Sequence, residues 1–347
     1  MNTSFLQIII FFILIEIILI YFYSKLSYQI GLVDIPDERK THKGNIPLAG
    51  GITIYTCITL YFIFFDTTYF DKIIFVSSFS IFVLGLYDDL FNLGVAERIF
   101  VQTLISLIIV GFGIRIFDLG SYSIIDETSQ TLITLGGFGI ILSVLCIIGY
   151  SNAINFSDGL DGLAGGYLIN CFASIILYSY YFGKTDNLSL IYLLVILLFI
   201  FLIANFGLII PKIFLGDSGS TGLGFLASCY LIYFTLPDNR HFHPILTLWA
   251  APIPIFDFLS VFLYRIVNRK SPFHPDRNHL HHFLLKTLIS PKLVSFILVL
   301  SSFSLSVIGL ITFIYFGALS SMFLFFFVLI VFSLIYISFK SNNVTLK

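Results

Sequence analysis

The sequence predicts an all-α polytopic membrane protein of about eleven transmembrane helices, and three observations carry that prediction. Charged residues make up only 11% of the 347 positions, where a soluble domain carries about a quarter. Hydrophobic residues make up 58%, and Phe alone occurs 41 times. Apolar stretches of bilayer-crossing length recur from one end of the chain to the other. No globular core hides that much apolar surface, because single cores stop growing at a few hundred residues and their exterior must stay wet. The solvent for most of this chain is therefore lipid.

A helix crossing the hydrocarbon needs roughly 20 mostly apolar residues. Such stretches lie at 5–24, 48–66, 72–87, 99–117, 136–155, 163–182, 189–210, 219–236, 244–267, 293–314 and 318–339. The first follows no basic residue and no small-residue cleavage site comes after it, so it reads as a retained helix rather than a secretory signal. The segment 118–133 is polar and reads as a short exposed hairpin. No internal repeat and no separate soluble region appear, which makes residues 1–347 one membrane domain. Cys57, Cys146, Cys171 and Cys229 sit singly in apolar runs and read as small hydrophobes, not as a disulfide or zinc framework.

Eleven spans put the termini on opposite sides. With the N-terminus outside, only Lys72, Arg115, Lys184 and Arg240 of the 18 Lys and Arg fall in outer loops. All the others fall in inner loops or at the C-terminus. Positive charge stays on the cytoplasmic side, so the C-terminus is cytoplasmic. The loops after spans 1, 3, 5, 7 and 9 then share that face, and every unusual polar motif falls in one of those five. The chain has one working face.

Span 3 ends in Gly85-Leu-Tyr-Asp88-Asp89. Adjacent carboxylates repel, and charge near a bilayer costs a few kcal/mol. A solvated helix end is the plain reading; a metal or general-base site is the functional one. Arg98, at the start of span 4, offers a fork-shaped phosphate donor. After span 5 comes Asn152-Ala-Ile-Asn155-Phe-Ser-Asp158-Gly159-Leu-Asp161-Gly162. Closely spaced oxygen ligands with glycines between them suit a hard cation such as Mg²⁺. A Gly-rich turn alone does not account for four amide or carboxylate groups there, and no acid closes a twelve-residue calcium loop.

Span 7 leads into Lys212-Ile-Phe-Leu-Gly216-Asp217-Ser218-Gly219-Ser220. The N–H groups opening a helix hold anions, and Asp217 either completes a metal shell with the preceding motif or simply caps the helix. After span 9, Ser271 to His282 holds four of the chain's seven histidines, His274, His279, His281 and His282, beside Arg277. No cysteine joins them, and Mg²⁺ prefers oxygen, so donors around a diphosphate fit better than a zinc site. A solvated basic loop is the plain alternative. The first inner loop, from Gly31 to Gly51, reads mainly as a topology signal. Its Gly50-Gly51 pair implies close backbone approach to something.

Taken in this order, the five loops resemble the polyprenyl-phosphate N-acetylhexosamine-1-phosphate transferase family over nearly the whole chain. The DRNHLHH stretch at 276–282 is similar to the branch that begins O-antigen, common-antigen or teichoic-acid linkage units from UDP-GlcNAc. The phospho-MurNAc-pentapeptide branch usually has an unbroken run of three histidines there, and Leu280 interrupts that run.

The resemblance implies transfer of GlcNAc-1-phosphate, or a close relative, from a UDP-sugar to undecaprenyl phosphate, with release of UMP, at the start of cell-envelope polysaccharide synthesis. It implies Mg²⁺, with Mn²⁺ as the alternative ion, held by Asp217 and Asn155. It further implies that Asp88 and Asp89 deprotonate or position the acceptor phosphate, with Asp158 shaping the catalytic loop. Arg98 falls at a phosphate-binding position and Asp161, with Gly162, at the uracil-contacting one. Lys43, Arg277, His279, His281 and His282 complete the substrate-binding set. The bacterial inner membrane, an active site on its cytoplasmic face and a homodimer follow by the same resemblance, and no nucleic-acid partner is expected.

Two other classes remain to be weighed. A transporter places ionisable residues at mid-bilayer, often on broken helices in two related halves; here the spans hold few charges, Glu16 and Asp257 being the clearest, and no halves repeat. A lipid-diphosphate phosphatase needs a nucleophile–histidine pairing, no uracil-binding segment, and releases free phosphate instead of UMP.

Overall fold

A computed structural model of the chain describes residues 3–36, 44–123, 130–269, 279–287 and 290–344. Each of the eleven apolar stretches is helical. In chain order the helices are α1 (Thr3–Ile30), α2 (Gly50–Phe64), α3 (Tyr69–Phe91), α4 (Val95–Gly111), α5 (Phe138–Ser157), α6 (Leu163–Tyr181), α7 (Ser189–Asn205), α8 (Gly216–Tyr233), α9 (Ile245–Trp249), α10 (Pro252–Val267), α11 (Leu280–Thr287) and α12 (Pro291–Val344). Two small antiparallel pairs interrupt them: β1 (Val33–Asp34) with β2 (Ile46–Pro47), and β3 (Asp118–Ser123) with β4 (Gln130–Thr134). Five helical segments are long and apolar enough to cross a bilayer: Leu6–Ile30, Tyr69–Phe91, Phe138–Ser157, Leu163–Tyr181 and Pro291–Ser338.

Helices α4 and α7 end earlier than expected, at Gly111 and Asn205, and four further differences from the sequence reading each have a physical reason. Helix α3 is longer than 72–87 because Thr68 and Asp71 form a reciprocal capping box at its start and Asn92 closes its end at φ 53°. The added last turn carries Asp88 and Asp89. The ninth stretch is not one helix: it breaks at Ala250-Ala251, because Pro252 and Pro254 lack the N–H groups a continuous helix would use.

The expected hairpin at 118–133 forms, but it is not wholly exposed. Residues of β3 alternate between buried and partly buried, with Asp118 and Tyr122 inside. Both Asp118 oxygens accept from Arg240 Nη2 at 2.8 and 2.6 Å, and Oδ1 also accepts the Gly120 N–H. Finally, α12 holds the last two stretches, with Gly317 at φ 80° and ψ 175° between them. Twelve residues of straight helix span about 18 Å, yet the Ser321 hydroxyl donates to the Gly309 carbonyl at 3.3 Å. The chain turns back on itself at Gly317.

The centre of the bundle is α8, every residue of which is buried except Asp217. It packs against α3, α5, α2 and α6. Small residues let it do so: a Cβ on Gly85 would stand 2.5 Å from Ser218 Cα, and one on Gly51 would stand 2.6 Å from Gly219 Cα. In lipid, where burial of apolar surface drives helix association weakly, such backbone approach supplies dispersion contacts and room for hydrogen bonds. One is the Ser151 hydroxyl donating to the Thr221 carbonyl at 2.7 Å. Gly85→Val places two methyls as well as a Cβ against the α8 backbone. We expect a loss of about 1–3 kcal/mol, read as a lowered melting temperature of the detergent-purified protein; an unchanged melting temperature would show that the crossing relaxes freely.

Candidate active site

The ends of α3 and α5 and the starts of α4 and α8 converge at one end of the bundle. Asp88 is buried, and its Oδ2 lies 2.6 Å from Arg98 Nη1 while Oδ1 accepts the Leu93 N–H at 2.7 Å. The same Arg98 nitrogen reaches Asp217 Oδ2 at 3.5 Å. Asp89 does something different from its neighbour. Its two oxygens accept the N–H groups of Asp217 and Ser218 at 2.8 and 3.0 Å. These are among the first N–H groups of α8, which have no acceptor within their own helix, so α3 caps α8 and meets the positive end of its dipole with a carboxylate.

Asp217 is the open member of the group, with 44% of its side chain exposed against 5% for Asp88. Asn155, on the last turn of α5, donates to Asp217 Oδ1 at 2.8 Å and to the Ser220 hydroxyl at 3.0 Å. Asp158 follows at the end of α5. Burial raises its carboxyl well above the usual range, and the charges of Asp217, Asp89, Asp161 and Asp34 raise it further. Arg98 pairs with Asp88 and reaches Asp217, and Lys212 pairs with Asp161 at 2.6 Å. Negative charge is thus concentrated around an accessible carboxylate, a donor set that suits a hard cation.

Among the described residues no three His, Cys, Asp or Glu side chains stand close enough to hold a metal by themselves.

The 158–162 loop is fixed from below. Gly162, at φ 82°, turns the chain into α6, and its N–H donates to Asn205 Oδ1 at 2.7 Å. Asn205 Nδ2 donates to the Ile213 carbonyl at 3.0 Å, tying this loop to the one that leads into α8. The first inner loop joins the same construction. Gly50 and Gly51 donate to the Phe214 and Leu215 carbonyls at 2.9 and 3.1 Å, and Phe214 donates to Pro47 at 2.9 Å. The close approach expected of Gly50-Gly51 is made to the α8 entrance.

The histidine segment lies against α10 and the 158–162 loop. His279 Nδ1 is 2.9 Å from Asp257 Oδ2. His281 is buried, its Nε2 3.0 Å from where a Cβ on Gly159 would stand. The His282 ring centroid is 4.2 Å from that of His281. Burial and the neighbouring histidines push His281 down to about 3, so it is neutral at pH 7. Lys43, His274 and Arg277 lie outside the described residues. Asn205 and Asp257 are the two positions the motif reading did not assign, and a lone polar residue inside an apolar run was the signal for each.

Residues 71–235 match the model of glycosyl transferase family 4, a stretch that runs from the first turn of α3 through α8 and contains the whole carboxylate group. An undecaprenyl-phosphate alpha-N-acetylglucosaminyl 1-phosphate transferase of Yersinia pestis is 30% identical over 292 residues, which cover 83% of this chain and 78% of the relative. Relatives of the same name from Escherichia coli K12 and Haemophilus influenzae are also 30% identical, and cover 84% and 88% of this chain and 79% and 86% of their own lengths. This chain belongs to glycosyl transferase family 4. The family match ends before α10, so His279, His281, His282 and Asp257 are positioned here by geometry and not by that match.

A buried histidine whose folded value lies below the unfolded value of about 6.5 binds its proton more readily in the unfolded chain. Stability contributed at His281 is therefore present above about pH 6.5 and lost as pH falls toward 3. His281→Gln should flatten part of the decline in melting temperature between pH 6.5 and 4.5; an unchanged pH dependence would mean that His281 is protonated without cost.

Proposed function

We propose that this chain transfers N-acetylhexosamine 1-phosphate, GlcNAc 1-phosphate first among them, from a UDP-sugar to undecaprenyl phosphate, releasing UMP and beginning a cell-envelope polysaccharide. The observation that carries the proposal is the convergence of Asp88, Asp89, Asp158 and Asp217 with Arg98 at one end of the bundle. The names of the relatives support the acceptor and the sugar. In this reading the chain spans a bacterial plasma membrane eleven times with its N-terminus outside, as the asymmetry of Lys and Arg favours. The site faces the cytoplasm, where a soluble nucleotide-sugar meets a lipid whose tail stays in the bilayer.

An oxygen of the acceptor phosphate attacks the sugar-bearing phosphorus of the donor. A new P–O bond forms, the bond to the UMP oxygen breaks, and UMP leaves with its electron pair. Such transfer needs positioning and charge neutralisation above all. Asp217 and Asn155 would hold Mg²⁺, which when bound neutralises the diphosphate and stabilises the departing UMP. Arg98, already paired with Asp88 and near Asp217, is placed to receive a phosphate oxygen as a fork-shaped donor. Asp88 draws Arg98 into position through the 2.6 Å contact, and Asp158, its carboxyl raised by burial and by the neighbouring carboxylates, binds a proton more readily than an ordinary carboxylate. Asp161 and Gly162, with Lys212 fixing Asp161, form the floor for the uracil, and the histidine segment closes over the nucleotide-sugar. The direct route is preferred because a deprotonated phosphate is already a competent nucleophile.

Purified protein supplied with undecaprenyl phosphate, labelled UDP-GlcNAc and Mg²⁺ should release UMP and label the lipid, and EDTA should stop both. Failure with every UDP-HexNAc donor would overturn the proposal. Asp217→Asn should keep the melting temperature while lowering turnover by at least about 100-fold, the scale of losing one key electrostatic group; substantial activity would remove Asp217 from the metal shell. His281→Gln should raise the KM for the nucleotide-sugar more than that for undecaprenyl phosphate.

A further inference from the structure

Asp257 is 8% exposed on α10, in a run that is otherwise apolar from Pro252 to Tyr264 apart from Ser260. Its two carboxylate oxygens have separate partners. Oδ1 accepts the Leu280 N–H at 2.8 Å, and Oδ2 lies 2.9 Å from His279 Nδ1. Leu280 opens α11, whose first N–H groups have no acceptor within the helix. Asp257 therefore caps α11 from another helix, and its charge meets the positive end of the α11 dipole.

The second contact fixes the imidazole. An ionised carboxylate only accepts hydrogen bonds, so Nδ1 of His279 carries a hydrogen, and Nε2 is the ring nitrogen left for another group. The ring itself is held on its faces: Phe156 lies 5.0 Å away and His281 stacks nearly parallel at 6.1 Å. Phe156 is the residue after Asn155, and His281 sits against Gly159. Asp257 thus holds residues 279–280 by two polar contacts, beside the ring and backbone contacts that set them against Phe156 and Gly159.

We propose that Asp257 is the positioning residue for nucleotide-sugar binding: a single carboxylate that sets the tautomer of His279 and anchors α11, so that the 279–282 segment meets the donor in one fixed arrangement. The proposal rests on the transferase reading above and assigns it a residue outside the five loop motifs. Asp257→Asn is the discriminating variant. The amide oxygen still caps Leu280, while the amide NH₂ facing Nδ1 moves the ring hydrogen to Nε2. Asp257→Ala removes both contacts.

Three measurements on the full-length purified protein test this. In steady-state kinetics, Asp257→Asn should lower kcat/KM for UDP-GlcNAc by about ten- to hundredfold, the scale seen when the group orienting a functional histidine is lost. The KM for undecaprenyl phosphate and the melting temperature should not move. Combined with His279→Gln, Asp257→Asn should add nothing further, because both act through the same ring. Additive losses, or equal changes in both KM values, overturn the positioning role. In hydrogen–deuterium exchange, Asp257→Ala should speed uptake in peptides covering 279–287 while those of α3 and α8 stay unchanged; unchanged uptake at 279–287 overturns the anchoring role. Should wild-type protein release no UMP from any donor, the transferase reading falls on its own, and the exchange measurement still decides whether Asp257 holds the segment. Asp257→Asn, close in shape to the native residue, keeps the kinetic test in force if Asp257→Ala fails to fold.

Discussion

The first turns of α8 lie so near α2 and α3 that only hydrogen fits between the backbones at Gly51 and Gly85. This spacing governs the candidate site, because Gly85 is one helical turn before Asp88 and Asp89, and its partner Ser218 is the neighbour of Asp217. Asp89 then reaches two backbone N–H groups of α8 directly. A bulkier residue at the crossing would separate the helices and, with them, the cap and the carboxylate group. Packing and electrostatics are here one constraint expressed by adjacent residues.

That constraint concentrates like charge. Asp217, Asp89, Asp161 and Asp34 all bear on Asp158, and a group so arranged is stable only when its negative charge is offset. The chain offsets part of it, through Arg98, Lys212 and the N–H groups of α8. In the proposed reaction the residual charge would draw a divalent ion with phosphates attached. Rigidity follows as well: Asn205 and the strand-like contacts of Gly50, Gly51 and Phe214 fix the loops relative to one another before any substrate arrives. Held in this way, charged groups need little reorganisation as the reaction proceeds.

Much of this was legible beforehand. Helix identity came from apolar length alone, and the residues of the carboxylate group came from polar motifs at helix ends. Three kinds of feature were not. Helix breaks at Ala250-Ala251 and Gly317 are set by single residues inside stretches whose composition is uniformly apolar. The division of labour between Asp88 and Asp89 depends on which way each carboxylate faces across a helix crossing, and adjacent positions in a sequence look alike. Asn205 and Asp257 work through partners 8 to 43 and 22 to 23 positions away, so no local motif surrounds them. The Gly50-Gly51 pair was recognised as a point of close approach, but a sequence does not say whether the approaching body is substrate or protein.

The hairpin that α12 makes at Gly317 bears on how the molecule is assembled. Its hydroxyls enter the bundle: Asn170 donates to Ser302 and Ser306, Tyr178 to the Ser306 carbonyl, Trp249 to Ser321, and Ser260 pairs with Ser333. During synthesis the earlier helices leave the ribosome first, and until the C-terminal hairpin joins them Asn170, Tyr178 and Trp249 face hydrocarbon without these partners. A later segment is thus the one that satisfies polar groups already in the membrane. A nascent chain stopped at Gly317 would hold Asn170 and Tyr178 against Ser302 and Ser306 but leave Trp249 and Ser260 without the Ser321 and Ser333 hydroxyls in an apolar surround.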